Sequence, residues 1–377
     1  MRHSVEEYEI SRMDHDGYTE PPVSTLEEYP AYIAQEVNES IEKIQSLQGM
    51  NTVSFGFLTD THYAVRLKAT HQIRFRRTIN AYKEIAKRVH LDFLGMGGDH
   101  VNDGDKQYKK DCYRGLRAEL AGVRYFPVNG NHDDNSIWDI SFIPSEISTQ
   151  HLTREERYPL FYNHAPAQGA IFNYENRGLY YYWDNVDVKV RFIFLDSNDI
   201  PYIYDNGKLR YYHQGDYSYS QAQLDWLVNK ALRFEEEGWS VVLMQHVPPF
   251  GKGENLSRLA VVHDILKAYK NGEKCFVDRG QGTDFPQKVD VDFGTYLRGE
   301  IACMMLGRSH VDRANQADGI WYIETGCGIM YVGGPHSIQR KDGDKTELVF
   351  DIVTIDLDKK KVFLTRVGAG EDREFTY

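Results

Sequence analysis

A chain of 377 residues with 44 Lys and Arg against 56 Asp and Glu carries a formal charge of −12. Its length allows one large domain or two to three of about 150 residues each, and its acidity excludes a protein that grips nucleic acid through its general field. An anionic substrate therefore needs local positive charge, which bound metal ions supply inside an acidic cleft.

Residues 1–23 are polar, contain Pro21-Pro22 and show no sustained period, so they read as an arm laid on the surface. Ser24 and Glu27 form a capping-box pair, and Ile33, Val37, Ile41, Ile44 and Leu47 recur at helical spacing behind it. The run from Thr52 to Thr59 predicts a first core strand that delivers Asp60-Thr61-His62. Residues 66–89 predict a helix with Ile73, Ile79, Tyr82, Ile85 and Val89 toward the core. A second strand over 91–97 runs into Gly98-Asp99-His100-Val101-Asn102-Asp103-Gly104, and a helix over 106–122 leads to a third strand, 125–129. This alternation predicts βαβ architecture, in which sites gather at the carboxyl ends of strands.

From Asp133 to Gln221 the periodicity weakens, and Tyr-rich runs alternate with turn residues. Within that stretch, 178–184 and 189–196 predict a hairpin. A helix opens at Ser220, and 239–245 is a buried strand ending at His246. The segment 248–295 reads as loop-rich with one helix near 256–270. A strand over 301–306 ends in Gly307-Arg308-Ser309-His310, and strands near 320–325, 346–357 and 361–367 close the chain.

The four cysteines, Cys112, Cys275, Cys303 and Cys327, form no C-x-x-C pair and read as buried thiols in a reduced compartment. The N-terminus has no apolar h-region and no later run approaches a membrane span, so a soluble cytoplasmic protein is expected. His71, His151, His164, His213, His263 and His336 read as surface or loop residues without chemistry.

Five strand ends each present a hard-cation ligand: Asp60 with His62, Asp99, Asn131, His246 and His310. This mixture of oxygen and nitrogen favours manganese, iron or zinc over calcium. In Gly130-Asn131-His132-Asp133 the neutral carboxamide is a cation ligand, and the adjacent imidazole is free to move a proton near neutral pH.

As an ordered set these blocks resemble the calcineurin-like metallophosphoesterase family, with its Asp-x-His, Gly-Asp-x-x-Asp/Asn-x-Gly, Gly-Asn-His-Asp/Glu, His and Gly-His-x-His motifs. The match runs from residue 52 to about residue 312. The resemblance implies an α/β fold, a four-layer α/β/β/α sandwich of two mixed sheets flanked by helices, with a two-metal centre at the carboxyl ends of the core strands. Ligands spread from Asp60 to His310 meet only if that whole span is one compact unit, so a single domain over 24–377 is expected, with insertions near 133–220 and 248–295. By that likeness Asp60, His62 and His310 hold the first metal, Asp99 bridges, and Asn131 and His246 hold the second. His132 is then the proton donor, and Asn102 stands where protein phosphatases of the superfamily place the Asp that orients it.

One block departs from the pattern. Arg308 replaces the first His of Gly-His-x-His, and a guanidinium cannot ligate a cation. The second metal is therefore expected to bind weakly or not at all, with His100 as a spare candidate ligand. Arg308 is expected either to clamp the substrate phosphate or to sit against Asp99. The leading expectation is a metal-dependent hydrolase of a small phosphomonoester or phosphodiester. The alternatives are a degenerate binder of a phosphorylated ligand and a nuclease, for which the chain shows no basic stripe.

Overall fold

A computed structural model describes residues 30–65, 69–142, 146–173, 178–251, 254–328 and 338–377. The expected polar arm over 1–23 and the Ser24–Glu27 pair lie outside them. The first described helix, α1 (Ala31–Leu47), begins behind Pro30 and has no side-chain cap. Its apolar stripe is the expected one, with Ile33, Val37, Ile41 and Ile44 buried.

Strand β1 (Thr52–Leu58) leads to α2 (Ala69–Arg88), β2 (Leu94–Met96), α3 (Lys106–Glu119) and β3 (Tyr125–Pro127). Then follow β4 (Ile171–Phe172), β5 (Tyr181–Asn185), β6 (Val190–Phe194), β7 (Tyr204–Asp205), β8 (Lys208–Leu209) and α4 (Gln221–Trp226). After β9 (Ser240–Gln245) and α5 (Ala260–Asn271) come β10 (Lys274–Arg279), β11 (Gln287–Asp292), β12 (Glu300–Leu306), β13 (Arg313–Ala317) and β14 (Ile320–Glu324). The chain ends in β15 (Val349–Asp356), β16 (Lys361–Gly368) and β17 (Arg373–Thr376).

Two mixed sheets dominate. One has six strands in the order β17-β16-β15-β1-β2-β3, and the other seven in the order β13-β14-β12-β9-β6-β5-β4. The parallel cores are β1-β2-β3 in the first and β14-β12-β9-β6 in the second. Side-chain alternation assigns each face. On β1, Phe55 points toward the second sheet, 5.3 Å from the Phe93 ring and 5.2 Å from that of Phe192 on β6. Its neighbour Gly56 faces the other way, where a Cβ would collide with Tyr82 of α2. On β9, Val242 and Met244 join the core between the sheets, whereas Val241 and Leu243 join a second core beneath α4 and α5. A bulge between Ile301 and Cys303 on β12 puts Ala302 and Cys303 into the same core. The result is the expected four-layer α/β/β/α sandwich.

Two local expectations fail for physical reasons. Ile73 is only half-buried, and Phe75 takes its place in the core. The 248–295 segment is not merely loop around one helix: β10 and β11 pair in register from Lys274↔Asp292 to Arg279↔Gln287. Of the apolar residues in the two strands, Cys275, Val277 and Val289 are deeply buried, so the apolar alternation is short and diluted by charge. Among the described residues no helix is long and apolar enough to cross a membrane.

Candidate metal centre

The residues singled out from the sequence meet at one edge of the sandwich. The first sheet supplies Asp60 and His62 after β1, Asp99 after β2, and Asn131 and His132 after β3; the second supplies His246 after β9, and Arg308 and His310 after β12. Asp60, His62, Asp99, Arg308 and His310 all have positive φ, at 53°, 39°, 50°, 79° and 59°. Each such non-glycine residue stores about 1–3 kcal/mol of strain, a cost that the surrounding structure must hold in place. It does so with hydrogen bonds between the turns: Asp60 N–H to the Gly98 carbonyl and His62 N–H to the Asp99 carbonyl, both 3.0 Å. Asp133 locks the third turn by accepting from His100 N–H at 2.8 Å and Gly130 N–H at 2.7 Å. Gly130 is required there, because a Cβ would run into the backbone and carboxylate of Asp99.

The side chains form two groups whose ligand atoms lie within 4.8 Å of one another: Asp60, His62 and His310, and Asp60, Asp99 and His246. Asp60 Oδ2 accepts from Thr59 Oγ1 at 2.7 Å and Arg308 N–H at 3.1 Å. Its Oδ1 is buried without a directed hydrogen bond, 3.0 Å from His310 Nε2 and 3.8 Å from His246 Nε2. His246 Nδ1 faces the Gly97 carbonyl at 2.7 Å, which fixes the proton on that nitrogen. The Nε2 lone pair is then aimed at Asp99 Oδ2, 3.2 Å away, and Asn131 Oδ1, 3.0 Å away. A ring nitrogen facing several oxygens calls for positive charge between them, either a proton on Nε2 or a cation in its place, so these residues fit a divalent metal.

Their acid–base properties agree. Burial opposes charge on His246, but Asp99 and Asp60 push it up to about 9. His310 likewise is raised against burial, with Cys327 and Asp60 the leading causes. Burial would raise the Asp60 carboxyl, yet His310 and His246 hold it down to about 2. His62, by contrast, is pushed down to about 4, mainly by burial. The centre is a place where positive charge is wanted, and a proton and a metal compete for it.

His132 lies beside this group, its ring 5.2 Å from that of His62, and its N–H donates to Asp99 Oδ1 at 2.8 Å. The partner of its Nδ1 is the Asp103 carboxylate. The orienting role expected of Asn102 therefore falls to the next residue. The hydrogen bonds of Asn102 run through its backbone, with N–H to the Tyr63 carbonyl at 3.0 Å and its own carbonyl 3.5 Å from Lys109 Nζ. Asp103 in turn is held by Lys109, fully buried on α3, whose ammonium donates to Asp103 Oδ1 at 3.2 Å and the His132 carbonyl at 2.6 Å. Burial opposes charge on His132, but Asp103 and Asp99 raise its pKa above the ordinary value.

Three further expectations change. The Arg308 guanidinium does not lie against Asp99 as an ion pair; it donates to the Tyr217 hydroxyl at 3.1 Å. His100 is turned away from the centre, bonded to the Val128 carbonyl at 2.8 Å and packed against Phe161, so it is not a spare ligand. His151 and His213, read as surface or loop residues, do lie in loop or turn segments but are buried there, each stacked on the Tyr202 ring. His71 and His336 have no described side chains.

This fold and this convergence of Asp, Asn and His define a metallophosphoesterase. The chain belongs to the calcineurin-like phosphoesterase family, whose model matches residues 53–278. Membership supports a phosphoric ester hydrolase, although some members of the family are inactive, and the family typically binds divalent metals. Comparison with curated proteins finds no match. Among solved structures it is similar to GAP50 of Plasmodium, the anchor in the inner membrane complex, at 13% identity and TM-score 0.44 over 84% of each chain. A putative 5'-nucleotidase from Staphylococcus aureus matches at 12% identity and TM-score 0.40, over 86% of this chain and 54% of its own. The phosphopantetheinyl hydrolase of Mycobacterium tuberculosis matches at 13% and 0.35, over 74% and 91%.

Proposed function

We propose that this chain hydrolyses a small phosphomonoester or phosphodiester with divalent metal at the Asp60 centre and His132 as proton donor. The observation that carries this reading is the buried Asp60 Oδ1 among the imidazoles of His246 and His310, with His132 held on Asp103 alongside.

Asp60, His62 and His310 would hold one cation, Asp99 would lie between two, and Asn131 and His246 would hold the second. Manganese, iron or zinc suits this donor set. Bound there, such cations would supply Lewis-acid stabilisation of the phosphoryl group and a more acidic water near neutral pH. The protein's own part is positional. Asp103, anchored by Lys109, keeps the proton on His132 Nδ1, so Nε2 is the nitrogen that meets the substrate. As the phosphorus–oxygen bond breaks, the proton of His132 Nε2 passes to the departing oxygen, a step commonly worth about 10²–10⁴-fold. The net charge of −12 fits a small substrate better than a nucleic acid. Four buried free thiols fit a reducing compartment, and on that basis we place the protein in the cytoplasm.

The test is a panel of phosphoesters with Mn²⁺, Fe²⁺, Zn²⁺ and Mg²⁺, run beside metal analysis. Asp60→Ala is expected to lose metal and activity together; His132→Ala is expected to keep metal and lose activity, least on nitrophenyl esters, whose leaving group needs little protonation. Loss of metal in His132→Ala would make it a ligand, and metal binding without hydrolysis of any ester would favour a degenerate binder.

A further inference from the structure

Between β8 and α4 the chain passes over the metal centre, and residues 211–217 reach it with two side chains. The carboxamide of Gln214 lies 3.0 Å from His132 Nε2, the ring nitrogen opposite the one that faces Asp103. Three residues on, the buried Tyr217 hydroxyl donates to the Gln214 carbonyl and accepts from Arg308 Nη2 at 3.1 Å. On the other side of Gln214, His213 N–H donates to Ser136 Oγ at 2.8 Å, and Asn198 Nδ2 donates to the His213 carbonyl at 2.7 Å. The turn closes through Gly215 N–H and Asp216 N–H to the Tyr212 carbonyl, at 3.1 and 3.0 Å. Gln214 is thus a half-exposed side chain on a backbone pinned from both sides. Arg308, useless as a metal ligand, is one of the pins.

We propose that Gln214 is a specificity-determining residue that reads the leaving group, and that it selects phosphoesters whose departing alcohol carries a neighbouring hydroxyl. This inference rests on the phosphoesterase reading. If His132 Nε2 protonates the departing oxygen, that oxygen must come to the position the carboxamide now fills. The side chain of Gln214 turns aside about its own torsions, but its pinned backbone keeps it beside the alcohol that has displaced it. A carboxamide offers a donor and an acceptor, which match one hydroxyl in either sense. A plain alkyl or aryl leaving group offers neither, so the hydrogen bonds gained with a hydroxyl-bearing alcohol are absent and the carboxamide is left to solvent.

The experiment compares glycerol 3-phosphate with n-propyl phosphate, and the corresponding methyl diesters, using the full chain loaded with the metal that best supports turnover. The unaltered protein is expected to prefer the glyceryl ester by about tenfold in kcat/KM, the worth of one to two hydrogen bonds. Gln214→Ala is expected to erase that preference, chiefly through KM for the glyceryl ester. Because both esters are measured on one preparation, the ratio does not depend on the folded fraction. Hydrolysis of both esters with no preference in the unaltered protein, or with the same preference in Gln214→Ala, overturns the assignment of Gln214 and leaves the phosphoesterase reading standing. Hydrolysis of neither series with any of the four metals overturns that reading and this inference together.

Discussion

Arg308 stands at the candidate metal centre with its backbone N–H on Asp60 and its guanidinium on Tyr217, at the position where the family pattern puts a second-metal His. An imidazole there would add a neutral nitrogen beside Asp99, Asn131 and His246; a guanidinium adds only fixed positive charge. The unaltered protein should therefore hold its first metal more firmly than its second. Arg308→His is expected to raise bound metal toward two per chain, read by elemental analysis after dialysis, and a tightly held second metal in the unaltered protein would contradict this. Asp103 gives a prediction in pH. Burial alone would raise its carboxyl, but His132 and Lys109 hold it down to about 2, against an ordinary 3.8. A depressed carboxyl stabilises the fold above its unfolded value and loses that contribution as pH falls through its folded value. The unfolding free-energy gap between the unaltered protein and Asp103→Asn should thus shrink by about 2 kcal/mol between about pH 5 and about pH 2. A gap that stays constant would detach Asp103 from the charge pair. The candidate ligand residues could be singled out in the sequence because each follows an apolar run at a strand end. Asp103 could not: the block spacing pointed to Asn102, and only the turn after Asp99 decides which of two adjacent side chains faces His132.

Helix α3 contributes to the site without a residue in it. Asp105 caps it by accepting from Tyr108 N–H at 2.9 Å, and Lys109, one turn in, points under the His132 loop. In the run Lys106-Gln107-Tyr108-Lys109-Lys110 one lysine looks like another, and the usual reading is a solvated face. Its burial follows from tertiary packing, which brings the carbonyls of Val101 and His132 and the Asp103 carboxylate to one point. The same limit applies to β10 and β11, whose pairing rests on a few buried residues, and to residues 211–217, where no period marks Gln214. Replacing Lys109 by Met should strand the Asp103 charge in the interior, at a cost of about 3–5 kcal/mol. Lys109→Met with Asp103→Asn should recover part of that loss, and the two changes should couple by about 0.5–3 kcal/mol in a double-mutant cycle read by denaturant unfolding. Strict additivity would show that the ammonium and the carboxylate do not act as a pair.

At the scale of the whole molecule, the first and the last described strands lie in the same sheet. Strand β1 pairs with β2 on one side and with β15 on the other, in the register Thr52↔Asp356 to Phe57↔Asp351. The second sheet is complete by Glu324, before β15 begins. A cut within residues 130–240 therefore separates β1–β3 from their partners β15–β17, and neither fragment keeps a whole sheet. We propose one folding unit over the described residues, in which the candidate ligands Asp60, His62, Asp99 and Asn131 come from the first sheet and His246 and His310 from the second. A cation bound among them ties the sheets' edges together only while both are folded, so binding should stabilise the molecule as a whole. With free metal at about a hundred times its dissociation constant, linkage gives about 2.7 kcal/mol. The thermal midpoint should rise with added Mn²⁺ and fall again with a chelator, and Asp60→Asn should abolish most of the shift. Limited proteolysis of the metal-loaded chain should then proceed more slowly at every internal site. Two stable halves released by cleavage within 130–240, or a metal-induced shift confined to one of two separate unfolding transitions, would show instead that the sheets fold independently.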